Sequence, residues 1–410
     1  MRSNWKSKPR VENGPGDDSN NACRRKPAAT AGFFPLSQGP VVHRRRRSMS
    51  LRTQFGVVQL EVVHGQDRTD RHWGCPIRER WGLSDHRQLS LAFEDRLAFT
   101  ATATGSYAEA AEVARRWGAQ ISSATVHQLV QRQGRQAEAA TRQRLAQPPR
   151  EQDPQKPGSR LGVLMLDGWL VRQRGPGWGK RKTTKSRVEW HEWKTGVYYP
   201  LEQSGQTAGE RGLVVDKVVV GWQGEPAEFG QRLHWEALRQ GLGRARKQLV
   251  VADGAVWIWN LVAARWTEAE QVLDFYHASQ HLWEIGRALH GTDEAAVEQW
   301  ATPLRHRLRH GGESEVLREL ARLKPARAAS RKTVRREVEY FRSHAKRIDY
   351  QRVCRRGWPI GSGPVESACR QRQCRFKRPG QSWTREGMRH LASLIEARHN
   401  HHWEELWETN

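Results

Sequence analysis

The 410-residue chain carries 69 Lys and Arg against 44 Asp and Glu, a formal charge of +25 at neutral pH. That excess predicts a polyanionic partner, nucleic acid foremost. Five scattered cysteines exclude a disulfide framework, and no stretch approaches the roughly 18 apolar residues of a membrane span. The basic N-terminus lacks the continuous apolar segment of a signal peptide, so the expected setting is a reducing cytoplasm, at the nucleoid, with no membrane partner.

In chain order, residues 1–48 are polar, rich in Gly, Pro and Asn, and end in HRRRRS; they are expected to form a disordered basic tail. Met1 and Met49 both stand as starts. Residues 49–146 form a first folded block. Within it, SYAEAAEVARRWGAQISSATVHQLVQRQG (106–134) predicts two amphipathic helices joined at Gly118. Ala110, Val113, Ala114 and Trp117 line one face, and Val126, Leu129 and Val130 the next, after a Ser122 cap. The pattern is a helix-turn-helix or an ordinary helical hairpin. In the first reading Thr125, Gln128 and Arg132 face outward onto DNA.

The proline-rich stretch QPPREQDPQKPGS (147–159) reads as a linker. The block 160–277 then changes character. Strands are predicted at 160–174, 188–201, 212–224, in QLVVADG, and at 270–277, with helices at 226–247 and after Gly254. Three strands, a helix, a strand, a helix and a strand describe an α/β fold: a mixed sheet with helices on both faces. GPGWGK (175–180) lacks the spacing of a phosphate loop and reads as a hairpin turn. Residues 278–350 are helical and charged, an insertion, and 351–410 close the domain with a terminal helix over 382–400.

Asp167 ends the first strand (LMLDG) and Asp253 the fourth (VVADG), each followed by glycine. Glu366 stands alone where a Gly-Ser-Gly-Pro turn enters a helix, amid Arg370, Arg372, Arg375 and Lys377. A carboxylate buried at a strand end needs a cationic partner, and hard divalent ions prefer oxygen ligands. Three such acids at one edge suit two Mg²⁺ ions roughly 4 Å apart, clamping the attacking and leaving oxygens of a phosphodiester. The surrounding cations then hold flanking DNA phosphates. Most of the 19 tryptophans are expected in the core; Trp383 either joins them or stacks on an unpaired base beside the cleavage site.

MLDGW, VVADG, DFYHASQHLW and GWPIGSGPVESACRQ, in this order, resemble a DDE transposase of a bacterial insertion sequence, most like the ISKra type. The resemblance runs from about Gly56 to Glu396, and GSGPVES is its most specific motif. It implies a ribonuclease-H-like catalytic domain with a helical insertion, dependence on Mg²⁺ (with Mn²⁺ able to substitute), and DNA cleavage and strand transfer. Its partners would be double-stranded terminal inverted repeats and target DNA, bound by a homo-oligomer. Carried over by position, the catalytic metal ligands are Asp167, Asp253 and Glu366. Asp274 and His277 match the family's Asp-x-x-His signature, His277 either contacting the scissile phosphate or orienting a backbone group. The chain departs from the family at Gln373, where many members carry Lys or Arg seven residues after the glutamate. Arg370, one helical turn from Glu366, could stand in. Two other readings stay open: a host nuclease on the same fold, and a decayed, non-catalytic DNA-binding descendant.

Overall fold

The computed structural model describes residues 35–36, 39–68, 71–81, 83, 88–147, 149, 158–206, 212–325 and 327–408. Two compact units are present, one of residues 1–49 and 59–86 and the other of 50–58 and 87–410. Strands β1 (Gly39–Thr53) and β2 (Gly56–Asp67) are the central neighbours of a small four-stranded sheet, edged by the two-residue strands Pro35–Leu36 and Trp73–Gly74. The tail expected over 1–48 is therefore corrected from Gly39 onward, where the arginine run Arg44–Arg47 lies exposed along a strand; residues 1–34 lie outside the described set. Most of the expected linker, 148 and 150–157, lies outside it as well.

In the larger unit, α1 (Leu91–Ala103), α2 (Tyr107–Arg116) and α3 (Ser123–Ala146) form a helical cluster. Each starts on a serine whose hydroxyl accepts an otherwise orphaned backbone N–H: Ser90 from Phe93, Ser106 from Glu109, Ser122 from Thr125. Ala110, Ala114, Val126, Leu129 and Val130 are buried as the 3.6-residue period requires. Helix α3 continues to Ala146, twelve residues past the expected end at 134. Its later turns have Ala137 and Glu138 to bury, and they pack along α12 (Arg385–His399).

The central sheet holds β3 (Gly162–Arg174), β4 (Val188–Pro200), β5 (Val218–Trp222), β6 (Gln248–Ala252) and β7 (Glu270–Leu273), ordered β7-β6-β3-β4-β5. Strands β3, β4 and β5 pair antiparallel; β6 and β7 run parallel to β3. Strands buried on both faces read as unbroken apolar runs, which is why VLML and LVVA were visible as strands. Helix α4 (Pro226–Arg239) opens with proline at its first turn, where no N–H is missed, and buries Phe229, Leu233 and Ala237 on one face. Helix α5 (Val256–Arg265) packs beside α4. On the other face Thr195 meets Trp169 and Cys369, the latter from α11 (Gly363–Phe376).

The strand expected over 270–277 ends at Leu273, because Asp274 caps α6 (Phe275–His290) by accepting the N–H of His277 at 2.6 Å. Between α6 and α11 come α7 (Glu294–Arg309), α8 (Glu313–Ala321), α9 (Ala328–Ser343) and α10 (Tyr350–Arg355), with α7 and α9 packed on α6.

Candidate active site

Register places the acids. Leu166 of β3 pairs with Ala252 of β6, and Ala252 pairs with Leu273 of β7. The next residue in each case is an aspartate: Asp167, which lies within β3 and does not end it as expected, Asp253 just after β6 and Asp274 just after β7 stand in one row across three neighbouring parallel strands, about 4.8 Å from strand to strand. The backbone N–H of Asp274 donates to the Ala252 carbonyl at 2.7 Å and ties the row together.

Helix α11 brings Glu366 to this row. Ser362 occupies its N-cap but makes no side-chain cap bond, because its hydroxyl donates to Glu366 Oε1 at 2.7 Å. The Ser362 backbone N–H donates to Asp274 Oδ2, so one buried serine orients two acids from different elements. Gly361 is required beside it, since a Cβ would lie 2.7 Å from the Tyr276 ring. His277 Nδ1 lies 3.1 Å from Asp274 Oδ1 and 4.0 Å from Glu366 Oε1. The ligand atoms of Asp274, His277 and Glu366 all lie within 4.8 Å of one another.

Electrostatics follow from this crowding. Burial pushes the Asp167 carboxyl up and the Asp253 charge adds to that, against bonds from the Cys369 thiol and the Gly168 N–H. Burial also raises Asp253, with Asp274 and Glu192 adding and the Ala255 N–H and His277 opposing. Burial alone would raise Asp274 too. It is held below the ordinary carboxylate range because His277 and Ser362 donate to it. His277 is raised to about 9, chiefly by its bond to Asp274, so the imidazole is an imidazolium at neutral pH. Four carboxylates thus face one imidazolium, and the two raised aspartates are those without a direct cationic partner. An oxygen-rich set of acids with one cation among them fits hard divalent cations.

The other sequence-derived candidates divide. Arg370 is exposed on α11 and Lys377 just after its end, and Gln128 is exposed on α3. Four expected DNA contacts are corrected. Arg372 is buried beside Glu396 and Arg375 is buried over the Tyr107 and Trp383 rings, at 5.0 and 5.3 Å. Trp383 is buried too, with its indole N–H donating to the Phe376 carbonyl at 3.0 Å, so it belongs to the core and not to a base stack. Arg132 folds back to ion-pair with the buried Glu94. Thr125 is half-buried, its hydroxyl 3.0 Å from that of the capping Ser122.

Residues not singled out in sequence also reach the site. Glu192 accepts from Lys194 at 2.8 Å and from the Trp257 indole at 3.1 Å, and it occupies the space a side chain at Gly168 would need. Ser362 lay within the quoted turn motif, a usable signal; Glu192 and the Cys369 bond to Asp167 depend on strand register and helix docking, which local pattern does not carry.

No family model matches the chain, and no curated protein matches it in sequence. Among solved structures it is similar to one titled "Drosophila P element transposase strand transfer complex", at 9% identity and a TM-score of 0.26, covering 77% of this chain and 80% of that one. A likeness that slight carries no argument about chemistry. Among the described residues no helix is long and apolar enough to cross a membrane.

Proposed function

We propose that this chain is a divalent-metal-dependent transposase that cuts DNA at the ends of a mobile element and transfers the strands to a target. The observation that carries the reading is the row formed by Asp167 within β3, Asp253 just after β6 and Asp274 just after β7, with Glu366 delivered to it by α11. The sheet order supports a ribonuclease-H-like domain: three antiparallel strands followed by two parallel ones on the far side of the first. In this reading 49–146 binds element ends, 160–277 and 351–410 form the catalytic domain, and 278–350 is the insertion.

Asp167, Asp253 and Glu366 would hold two Mg²⁺ ions, which supply activation of the attacking oxygen and charge stabilisation of the leaving one. The chain's own groups prepare the site. Ser362 keeps Glu366 and Asp274 aimed at the same space. Asp274 fixes the His277 ring, and the imidazolium offers positive charge at the edge where a scissile phosphate would sit. Arg370, exposed on the same helix, and Lys377, exposed at its C-terminal end, face phosphates further along the strand. Both strands of two element ends must be handled, so the working form is a homo-oligomer on DNA.

The test is metal-dependent nicking of a plasmid carrying the DNA that flanks the gene, comparing wild type with Asp253→Asn. Nicking should fall to background while DNA affinity stays within about twofold. Wild-type rates in the variant would sink the catalytic assignment. A wild-type chain that binds but never nicks, with Mg²⁺ or Mn²⁺, would favour the decayed, non-catalytic reading.

A further inference from the structure

We infer that the β3–β4 hairpin is a DNA-binding arm that grips duplex phosphates away from the cleavage point. The inference rests on the proposed active site for its direction but on separate residues for its substance. Strand β3 carries Asp167 and runs on for seven more residues to Arg174, about 23 Å at 3.3 Å per residue. That is close to seven base-pair rises of B-form DNA at about 3.4 Å each. The chain then turns through 175–187 and returns as β4.

This turn is chemically one-sided. Residues 174–188 contain six Lys and Arg and no acid. Lys180, Arg181, Lys182 and Lys185 are exposed, and among the described residues none of the four makes an ion pair. Elsewhere in this unit exposed arginines are interleaved with acids, as in Arg352 and Arg356 on Glu270. A solvated loop of like charges would be expected to splay apart. This one is closed: the Gly175 N–H donates to the Arg187 carbonyl at 3.0 Å and the Gly177 N–H to the Ser186 carbonyl at 2.8 Å. A Cβ on either glycine would overlap the returning backbone. Like charges held together without partners are a surface built for a polyanion.

Aromatic groups extend the strip toward the active site. Trp178 is 42% exposed with the Arg174 guanidinium 5.2 Å over its ring. Trp190, 58% exposed, is in register with Arg172, and Leu170 is 53% exposed two residues nearer Asp167. Large exposed apolar groups set beside arginines along the hairpin, Leu170 and Trp190 about Arg172 and Trp178 beneath Arg174, suit contact with the sugars and phosphates of a backbone. The burial of Arg372 and Arg375 adds weight, because it removes from the surface two of the cations that the helix after Glu366 would have contributed.

The experiment measures binding of the full chain to a fluorescein-labelled 30-base-pair duplex by anisotropy from 50 to 300 mM NaCl. Wild type is compared with a chain in which Lys180, Arg181, Lys182 and Lys185 are all alanine. A control removes the same charge from the helical insertion, through alanine at Arg318, Arg322, Lys332 and Arg335. Each lost phosphate contact lowers the slope of log affinity against log salt by about 0.9, so the hairpin variant should lose about 3 to 4 in slope and the control less than 1. Equal losses in both variants would reduce the effect to net charge and overturn the arm. No loss in the hairpin variant would overturn it outright. The substitutions are on exposed side chains, and unchanged circular dichroism and melting verify the fold. Nicking activity is not read here, so an inactive wild type would undo the catalytic reading and leave this result standing.

Discussion

Replacing Asp274 with Asn should cost stability in a way that depends on pH. Asp274 is fully buried, accepts the N–H of His277 at 2.6 Å and that of Ser362, and faces the His277 imidazolium at 3.1 Å. Asn can still accept one backbone bond, but its amide nitrogen then opposes the other donor, which costs about 2 kcal/mol at any pH. The second part comes from His277. A shift from 6.5 to about 9 would be worth about 3.4 kcal/mol if the ring were wholly enclosed. The His277 side chain is 33% exposed, so solvent screening reduces this to about 1.5–2 kcal/mol. The folded pKa lies above the unfolded one. The contribution is therefore complete below about pH 6.5 and disappears as pH rises through about 9. Urea denaturation of wild type and Asp274→Asn at pH 6 and pH 10, without added metal, should give a difference of about 4 kcal/mol at pH 6 and about 2 at pH 10. A cost that is the same at both pH values would refute the ion pair as the source.

Two further perturbations test the packing around the site. Trp383→Phe should lower stability by about 2 kcal/mol, since it strands the Phe376 carbonyl, while leaving DNA affinity within twofold; a tenfold loss of affinity in an anisotropy titration would restore a base-stacking role. Gly254→Ala should destabilise by about 1–3 kcal/mol in thermal or urea melts, because a Cβ there overlaps the Tyr340 ring of α9. Adding Tyr340→Ala should reduce the cost of the alanine at 254, and strictly additive effects would show that the insertion does not seat on the loop after Asp253.

Much of this molecule is local and therefore readable. Apolar runs ending in Asp-Gly marked Asp167 and Asp253 because a strand segment buried on both faces must be continuously apolar, and the apolar run breaks where a charge begins; β6 ends there, whereas β3 runs on to Arg174. Ser122, one residue ahead of helical periodicity, marked a helix start for the same kind of reason, an unpaired N–H within reach of a hydroxyl. Charge was less informative. Arg132, Arg372, Arg375 and Trp383 lie in a basic sequence and suggested DNA, yet Arg132 is half-buried against Glu94 and the other three are buried beside Glu396, Tyr107 and Phe376, none closer than seven residues in the chain. Whether a cation faces solvent or a buried acid is decided by which helix docks on it. The same holds for the row of aspartates. Asp167 and Asp253 were marked by their own neighbours, but the alignment of the three aspartates required the register of β6 against β3 and β7, and Ser362 became the link between Asp274 and Glu366 only when α11 came to rest across that edge. Local pattern encodes what one segment must bury; the site exists because segments more than a hundred residues apart bury it together.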